Sequence, residues 1–247
     1  MRAFYLEPAR WQKPFYLAGA EARHLRKVLR LEPGERILLL DGQGRSGEFS
    51  IERMEKQLVR LEAVSISAHP QPAGRIFLAA AYTRAARRSF MLEKAVELEA
   101  GGIWFWQAEH SQALMPSSPS DHWREQILAG SKQSLNPWPP ELKTLPGGAQ
   151  GVCTASERFS RRFLLWEEAG KENLLSFTDL SSPEDTIFAM GPEGGLSEKE
   201  VAVFQCRGFK TVSLGQRILR WETAAVLCMG LAWWASQNKN EPDPGTI

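Results

Sequence analysis

The stretch FAMGPEGGLSEKE, Phe188–Glu200, decides how the second half of this 247-residue chain is read. Its opening residues close an apolar run, TIFAM, short enough for a buried strand. Gly191, Gly194 and Gly195 permit positive φ or close backbone approach, and Pro192 stiffens the turn. Ser197 and Glu200 have capping-box spacing, so a helix starts just after Ser197. Strand, tight loop and helix, in that order, place the loop at the C-terminal edge of a parallel sheet, where open α/β sheets take ligands. The loop fits neither G-x-G-x-x-G nor G-x-x-x-x-G-K-[ST]. It offers phosphate no lysine, and Glu193 would repel it, so a neutral or cationic ligand without phosphate fits better. The plain alternative is a structural turn with a solvated glutamate.

A second stretch strengthens the ligand reading. LGQRILRWETAAVL, Leu214–Leu227, follows the strand-like TVSL. Gly215 permits another close approach, and Arg217 and Arg220 project from a short loop. Glu222 and Thr223 then open a C-terminal helix, an end where a carboxylate is electrostatically favoured. Glu222 reads either as a helix-start residue paired with the arginines or as part of a site. Two glycine loops after two late strands point to one shared pocket.

Working outward, apolar strands such as Ile76–Tyr82 and Ile103–Trp106 alternate with helical stretches. That rhythm predicts an α/β domain with a largely parallel sheet and helices on both faces. Before the Pro- and Gly-bearing SAHPQPAG, Ser67–Gly74, strand-like pieces and glycine turns predict a small β-rich domain. The expected domains are residues 1–70 and 71–247. The tail NKNEPDPGTI, Asn238–Ile247, reads as disordered.

Net charge is +1, so the total charge implies no attraction to nucleic acid. The first 70 residues carry 12 basic and 9 acidic side chains, a weak basic bias. Three scattered cysteines without C-x-x-C spacing argue against zinc and redox motifs and suit a reducing cytoplasm. The most apolar run, Thr223–Ala235, is shorter than the ~20 residues a membrane span needs and reads as a buried helix. In ARHLRKVLR, Arg23, Lys27 and Arg30 share a helical stripe with Arg26 alongside, while Leu25, Val28 and Leu29 face away. The stripe is either a solvated face or a phosphate-contacting surface for RNA. Arg84, Arg87 and Arg88 stand at the start of another helix, against its dipole. Something must compensate them, and a nucleic-acid phosphate is one candidate.

GPEGGLSEKE followed by LGQRILRWETA resembles the paired C-terminal motifs of the RsmE family, bacterial enzymes that methylate N3 of a uridine in 16S ribosomal RNA. MRAFYLEP, HLRKVLRLEPGERILLLDGQG, RSFMLEKAVELEAGGIWFWQAEHSQ and LLWEEAG extend the resemblance over nearly the whole chain. It implies a SPOUT methyltransferase domain, α/β with a C-terminal trefoil knot, preceded by a PUA-like β-barrel that helps bind RNA. It also implies S-adenosyl-L-methionine as cofactor, 16S ribosomal RNA or the small ribosomal subunit as partner, and a homodimer with its site at the subunit interface. Neither membrane nor metal is implied.

Carried over by motif, Leu165, Gly191, Glu193, Gly195, Leu214, Gly215, Ile218, Leu219 and Thr223 are expected at the cofactor. Arg217, Arg220 and Glu222 are expected at the transfer centre, with Glu222 either taking the proton or orienting an arginine. Arg23, Arg26, Lys27 and Arg30, together with Arg84 and Arg88, are the expected RNA contacts. The chain departs from the family's text at Gln216 and Trp221, at His110-Ser111, and in SKQSLNPW, where Lys132 replaces an acid and Leu135-Asn136 lack an arginine. These departures motivate an alternative from another class: an RNA-binding ribosome-assembly factor of the same fold without methyltransferase activity.

Overall fold

The computed structural model describes residues 1–237; the tail read as disordered lies outside the described residues. The chain divides into two compact units, Met1–Gln71 with Ile127–Pro139, and Pro72–Gln126 with the chain from Pro140 onward.

The first unit is built on five strands, β1 (Arg2–Tyr5), β2 (Phe15–Ala18), β3 (Arg36–Leu40), β4 (Arg45–Met54) and β5 (Leu58–Ala68), in the order β1-β3-β4-β5-β2. The β1–β3 pair is parallel and the others antiparallel. Alternation along β4 sends Gly47, Phe49 and Ile51 inward, where they meet Phe4, Leu17, Ile37, Leu39 and Val59. Two register shifts between β4 and β5 bend the long hairpin, and the sheet forms the half-barrel of a PUA-like domain. Lys132, one of the departures, donates to Glu21 at 2.6 Å, so the changed charge has an acidic partner within this unit.

The basic stretch is not one regular α-helix. A short helix α1 (Gly19–Arg23) passes into a π-type turn over His24–Val28, closed by Leu29 N–H donating to the His24 carbonyl at 3.1 Å. The wider turn breaks the predicted facing. Leu25 stays buried, but Val28, expected inside, is 65% exposed. Arg23, Lys27 and Arg30 are exposed. The Arg26 guanidinium donates to the carbonyls of Glu55 and Lys56 at 2.8 and 2.6 Å, clasping the β4–β5 turn.

The second unit carries a six-stranded sheet of β6 (Ile76–Ala81), β7 (Gly102–Trp106), β8 (Glu141–Leu145), β9 (Arg161–Leu165), β10 (Thr186–Met190) and β11 (Lys210–Val212). Its order is β11-β9-β10-β6-β7-β8 and every pairing is parallel. Its helices are α2 (Ala85–Glu97), the first half of α3 (Asp121–Ser134), α4 (Gly148–Ala155), α5 (Phe177–Leu180), α6 (Glu198–Cys206) and α7 (Trp221–Gln237). All residues of β6, β7 and β10 are buried, as expected where helices cover both faces of a parallel sheet. Phe77, Trp104 and Phe159 interlock edge to face with centroids 4.9–5.7 Å apart. The strand expected over TVSL ends at Val212, which leaves Leu214 free for a loop.

Candidate active site

β9, β10 and β11 end side by side, and their C-terminal ends line a cleft open to solvent. One wall is the loop after β10. The predicted capping box is present: Ser197 Oγ accepts from Glu200 N–H at 3.3 Å, and Glu200 Oε2 accepts from Ser197 N–H at 3.0 Å. Glu200 is buried, and its other oxygen accepts from Glu109 N–H, which fastens the start of α6 to the segment after β7. With the helix start fixed, the loop has little room. A Cβ on Gly191 would lie 2.7 Å from Leu196 Cγ, so close approach explains this glycine. Gly195 instead needs its φ of +77°, a region costly for other residues. The Gly195 carbonyl lies 3.2 Å from His110 Nδ1.

The opposite wall is the loop from Ser213 into α7. Ser213 Oγ bonds both the N–H and the carbonyl of Gly215, tightening the bend. Leu165, Gly191, Glu193, Gly195, Leu214, Gly215, Arg217, Ile218 and Leu219, all expected at the site, line this one cleft. Thr223, Arg220 and Glu222 do not line it: Thr223 and Arg220 are exposed, and Glu222 is half-buried beside Arg87. Trp166, Glu167, Gln216 and Trp221 also line the cleft. Trp221, a departure from the family's text, is buried at the first position of α7, with its indole N–H unpartnered.

Glu193 does not point freely into solvent. Its Oε1 accepts from Thr83 Oγ1, just past β6, and from the Arg87 guanidinium on α2. Burial alone would raise its carboxyl pKa. The Thr83 bond, a backbone N–H and the Arg87 charge outweigh that and hold it below the usual carboxylate range. Arg87 Nε also lies 3.6 Å from Glu222 Oε2. Glu222 thus faces Arg87 rather than Arg217 or Arg220.

Two of the three arginines at the start of α2, Arg87 and Arg88, find partners inside the protein. Arg84 is exposed. Arg88, expected to touch RNA, is buried: it donates to the Thr83 carbonyl and lies over the rings of Tyr82 (4.4 Å) and Trp123 (5.1 Å). Burial lowers its guanidinium pKa. The pairing of Arg87 with Glu193 and Glu222 escaped the sequence reading, although cations at the positive end of a helix call for some compensating group.

The cleft's chemistry follows from its lining. Leu165, Val212, Leu214 and Leu219 give apolar walls, the glycine loops bring backbone close, and Glu167 and Arg217 add one charge of each sign. Among the described residues, no cluster of His, Cys, Asp and Glu could hold a metal, and no helix is long and apolar enough to cross a membrane.

A half-barrel joined to a parallel sheet with this cleft defines an RNA methyltransferase. The family profile described as an RNA methyltransferase domain matches residues 69–233, and that of an RNA methyltransferase PUA domain matches 17–64. The Ribosomal RNA small subunit methyltransferase E of Mesomycoplasma hyopneumoniae (strain 232) is 28% identical over 186 residues, covering 74% of this chain and 80% of the relative. The protein of that name from Neisseria gonorrhoeae, solved bound to S-adenosyl methionine, matches with a TM-score of 0.78 at 26% identity, covering 93% and 95% of the two chains. A Legionella pneumophila protein in complex with the bound cofactor SAM gives 0.79 at 25% identity, covering 94% and 97%. The chain belongs to this RNA methyltransferase family, and within it to the RsmE branch.

Proposed function

We propose that this protein transfers a methyl group from S-adenosyl-L-methionine to N3 of a uridine in 16S ribosomal RNA. The observation that carries the reading is the meeting of two glycine-bearing loops in one cleft that lacks lysine and is walled by apolar side chains and backbone groups. These residues fit the cofactor: it has an apolar-faced adenine, hydroxyls for backbone groups and no phosphate. Gly191–Gly195, Leu214–Leu219 and Leu165 would hold it, and an acid such as Glu167 suits its cationic end. Thr223, exposed in the first turn of α7, is assigned a lesser part. When bound, the group supplies an electrophilic methyl on a sulfonium.

The chain's own residues supply the rest. Uracil N3 must pass its proton to a base or to water before it is a good nucleophile, and the resulting anion needs nearby positive charge. Arg217 in the cleft and Arg220 beside it on the same exposed segment fit that task. Glu222, already paired with Arg87, is better suited to holding structure than to taking the proton. The target base must leave its stack, at a cost of about a few kcal/mol. Arg23, Lys27, Arg30 and Arg84 are the exposed cations for RNA phosphates, with Arg26 contributing from its clasped position. The exposed Leu231 and Trp234 of α7, with Phe177, favour a homodimer. A C-terminal knot and a cytoplasmic location complete the proposal.

Mass mapping of modified uridines in ribosomal RNA, from cells with and without the protein, tests activity and target together. Loss of one N3-methyluridine is expected, with restoration by the wild type but not by Arg220→Ala. An unchanged uridine profile would overturn the reading. Cofactor binding by the purified protein, measured by calorimetry, separates the enzyme from an inactive assembly factor. Arg220→Ala is expected to bind the cofactor nearly as the wild type does.

A further inference from the structure

The Arg87 guanidinium lies between two carboxylates, one in the first loop that walls the cleft and one just beyond the second. Glu193 sits in the loop after β10, and Glu222 in the first turn of α7, directly after the second loop. Arg87 itself stands on α2 and does not line the cleft. Thr83, at the end of β6, donates to the same Glu193 oxygen. One oxygen of each carboxylate, Oε2 of Glu193 and of Glu222, is buried without a hydrogen bond, so neither of these two oxygens is solvated.

We propose that Arg87 is a positioning residue that ties the glycine loop to the start of α7 and thereby sets the spacing of the cleft's two walls. The inference rests on the cofactor reading above. A glycine-rich loop has many backbone states to lose on binding, so something outside it must hold it in place. A rigid guanidinium fork can address two carboxylates at once, which a lysine, as a point charge, does less well. Without the arginine, two half-buried carboxylates would lose their shared cation and repel, with only Thr83 left to hold Glu193. Glu193 therefore serves the site from behind: it anchors the loop toward α2 rather than reaching for ligand.

The test is a double-mutant cycle read as the Kd for S-adenosyl-L-methionine by calorimetry, with thermal unfolding of each ligand-free protein. Arg87→Met is expected to weaken binding about tenfold or more. Glu222→Gln is expected to weaken it less, and in the Arg87→Met background to cost nothing further or restore part of the loss. The expected coupling is at least about threefold in Kd. Arg87→Lys should fall between wild type and Arg87→Met, and a cycle built on it serves if Arg87→Met does not fold. Independent, multiplicative effects on Kd would overturn the proposal. So would a lowered unfolding temperature with unchanged Kd, which would make Arg87 a packing residue only. A wild type that binds no cofactor overturns the cofactor reading and this one with it. Normal wild-type binding with an unaffected Arg87→Met overturns this one alone.

Discussion

Replacing Arg88 by Met separates a buried structural arginine from an RNA-contacting one. The side chain donates a charge-assisted bond to the Thr83 carbonyl, worth about 1.5–3 kcal/mol when both partners are desolvated. It also lies over Tyr82 and Trp123, each contact worth roughly 0.5–2 kcal/mol. Against these stands the cost of keeping a guanidinium out of water with its Nε unpartnered, which Met does not incur. Met also refills most of the volume. The balance is a loss of about 2 kcal/mol. At roughly 2–4 °C per kcal/mol for a chain of this size, the unfolding temperature should drop by about 4–8 °C. Calorimetric unfolding measures this directly, and the salt dependence of RNA binding should match that of the wild type. An unchanged unfolding temperature with a flatter salt dependence would refute the reasoning and return Arg88 to the RNA surface.

Three further outcomes are expected. Changing Arg23, Lys27 and Arg30 together to Ala should weaken RNA binding and reduce its salt slope by about 0.7–0.9 per lost phosphate contact, whereas Arg26→Ala should chiefly destabilise the β4–β5 turn, as seen in hydrogen exchange of Glu55–Leu58. Glu193 has a folded pKa below its ordinary 4.5, so its stabilisation is complete above that value and is lost as pH falls through the lower folded value. Wild-type unfolding temperature should therefore fall more steeply than that of Glu193→Gln as pH drops below about 4.5, and parallel curves would contradict the Thr83 and Arg87 pairing.

The elements with strong local signals were legible in the chain. The capping box at Ser197 and Glu200 formed as spaced, and the apolar runs at β6, β7 and β10 became buried strands. The weakly patterned β8 and α4 carried no comparable signal, since β8 is an edge strand only half covered. The basic stretch misled at Val28, because periodicity assumes α geometry and a π-type turn rotates every following side chain. Lys132, read as a departure from the family's text, meets Glu21, a partner that no local pattern indicates.

What the sequence determined by itself was the pair of glycine loops, their place after late strands, and the lack of a lysine in either loop. These depend on backbone freedom and charge, which are properties of neighbouring residues. Which arginines face outward, and which carboxylate meets which cation, only the tertiary structure decided. Arg84, Arg87 and Arg88 are nearly adjacent in the chain, yet one is solvated, one bridges two loops and one is buried over aromatic rings. Their fates depend on Glu193, Glu222, Thr83 and Trp123, brought there by other strands and helices, and no local pattern encodes that meeting.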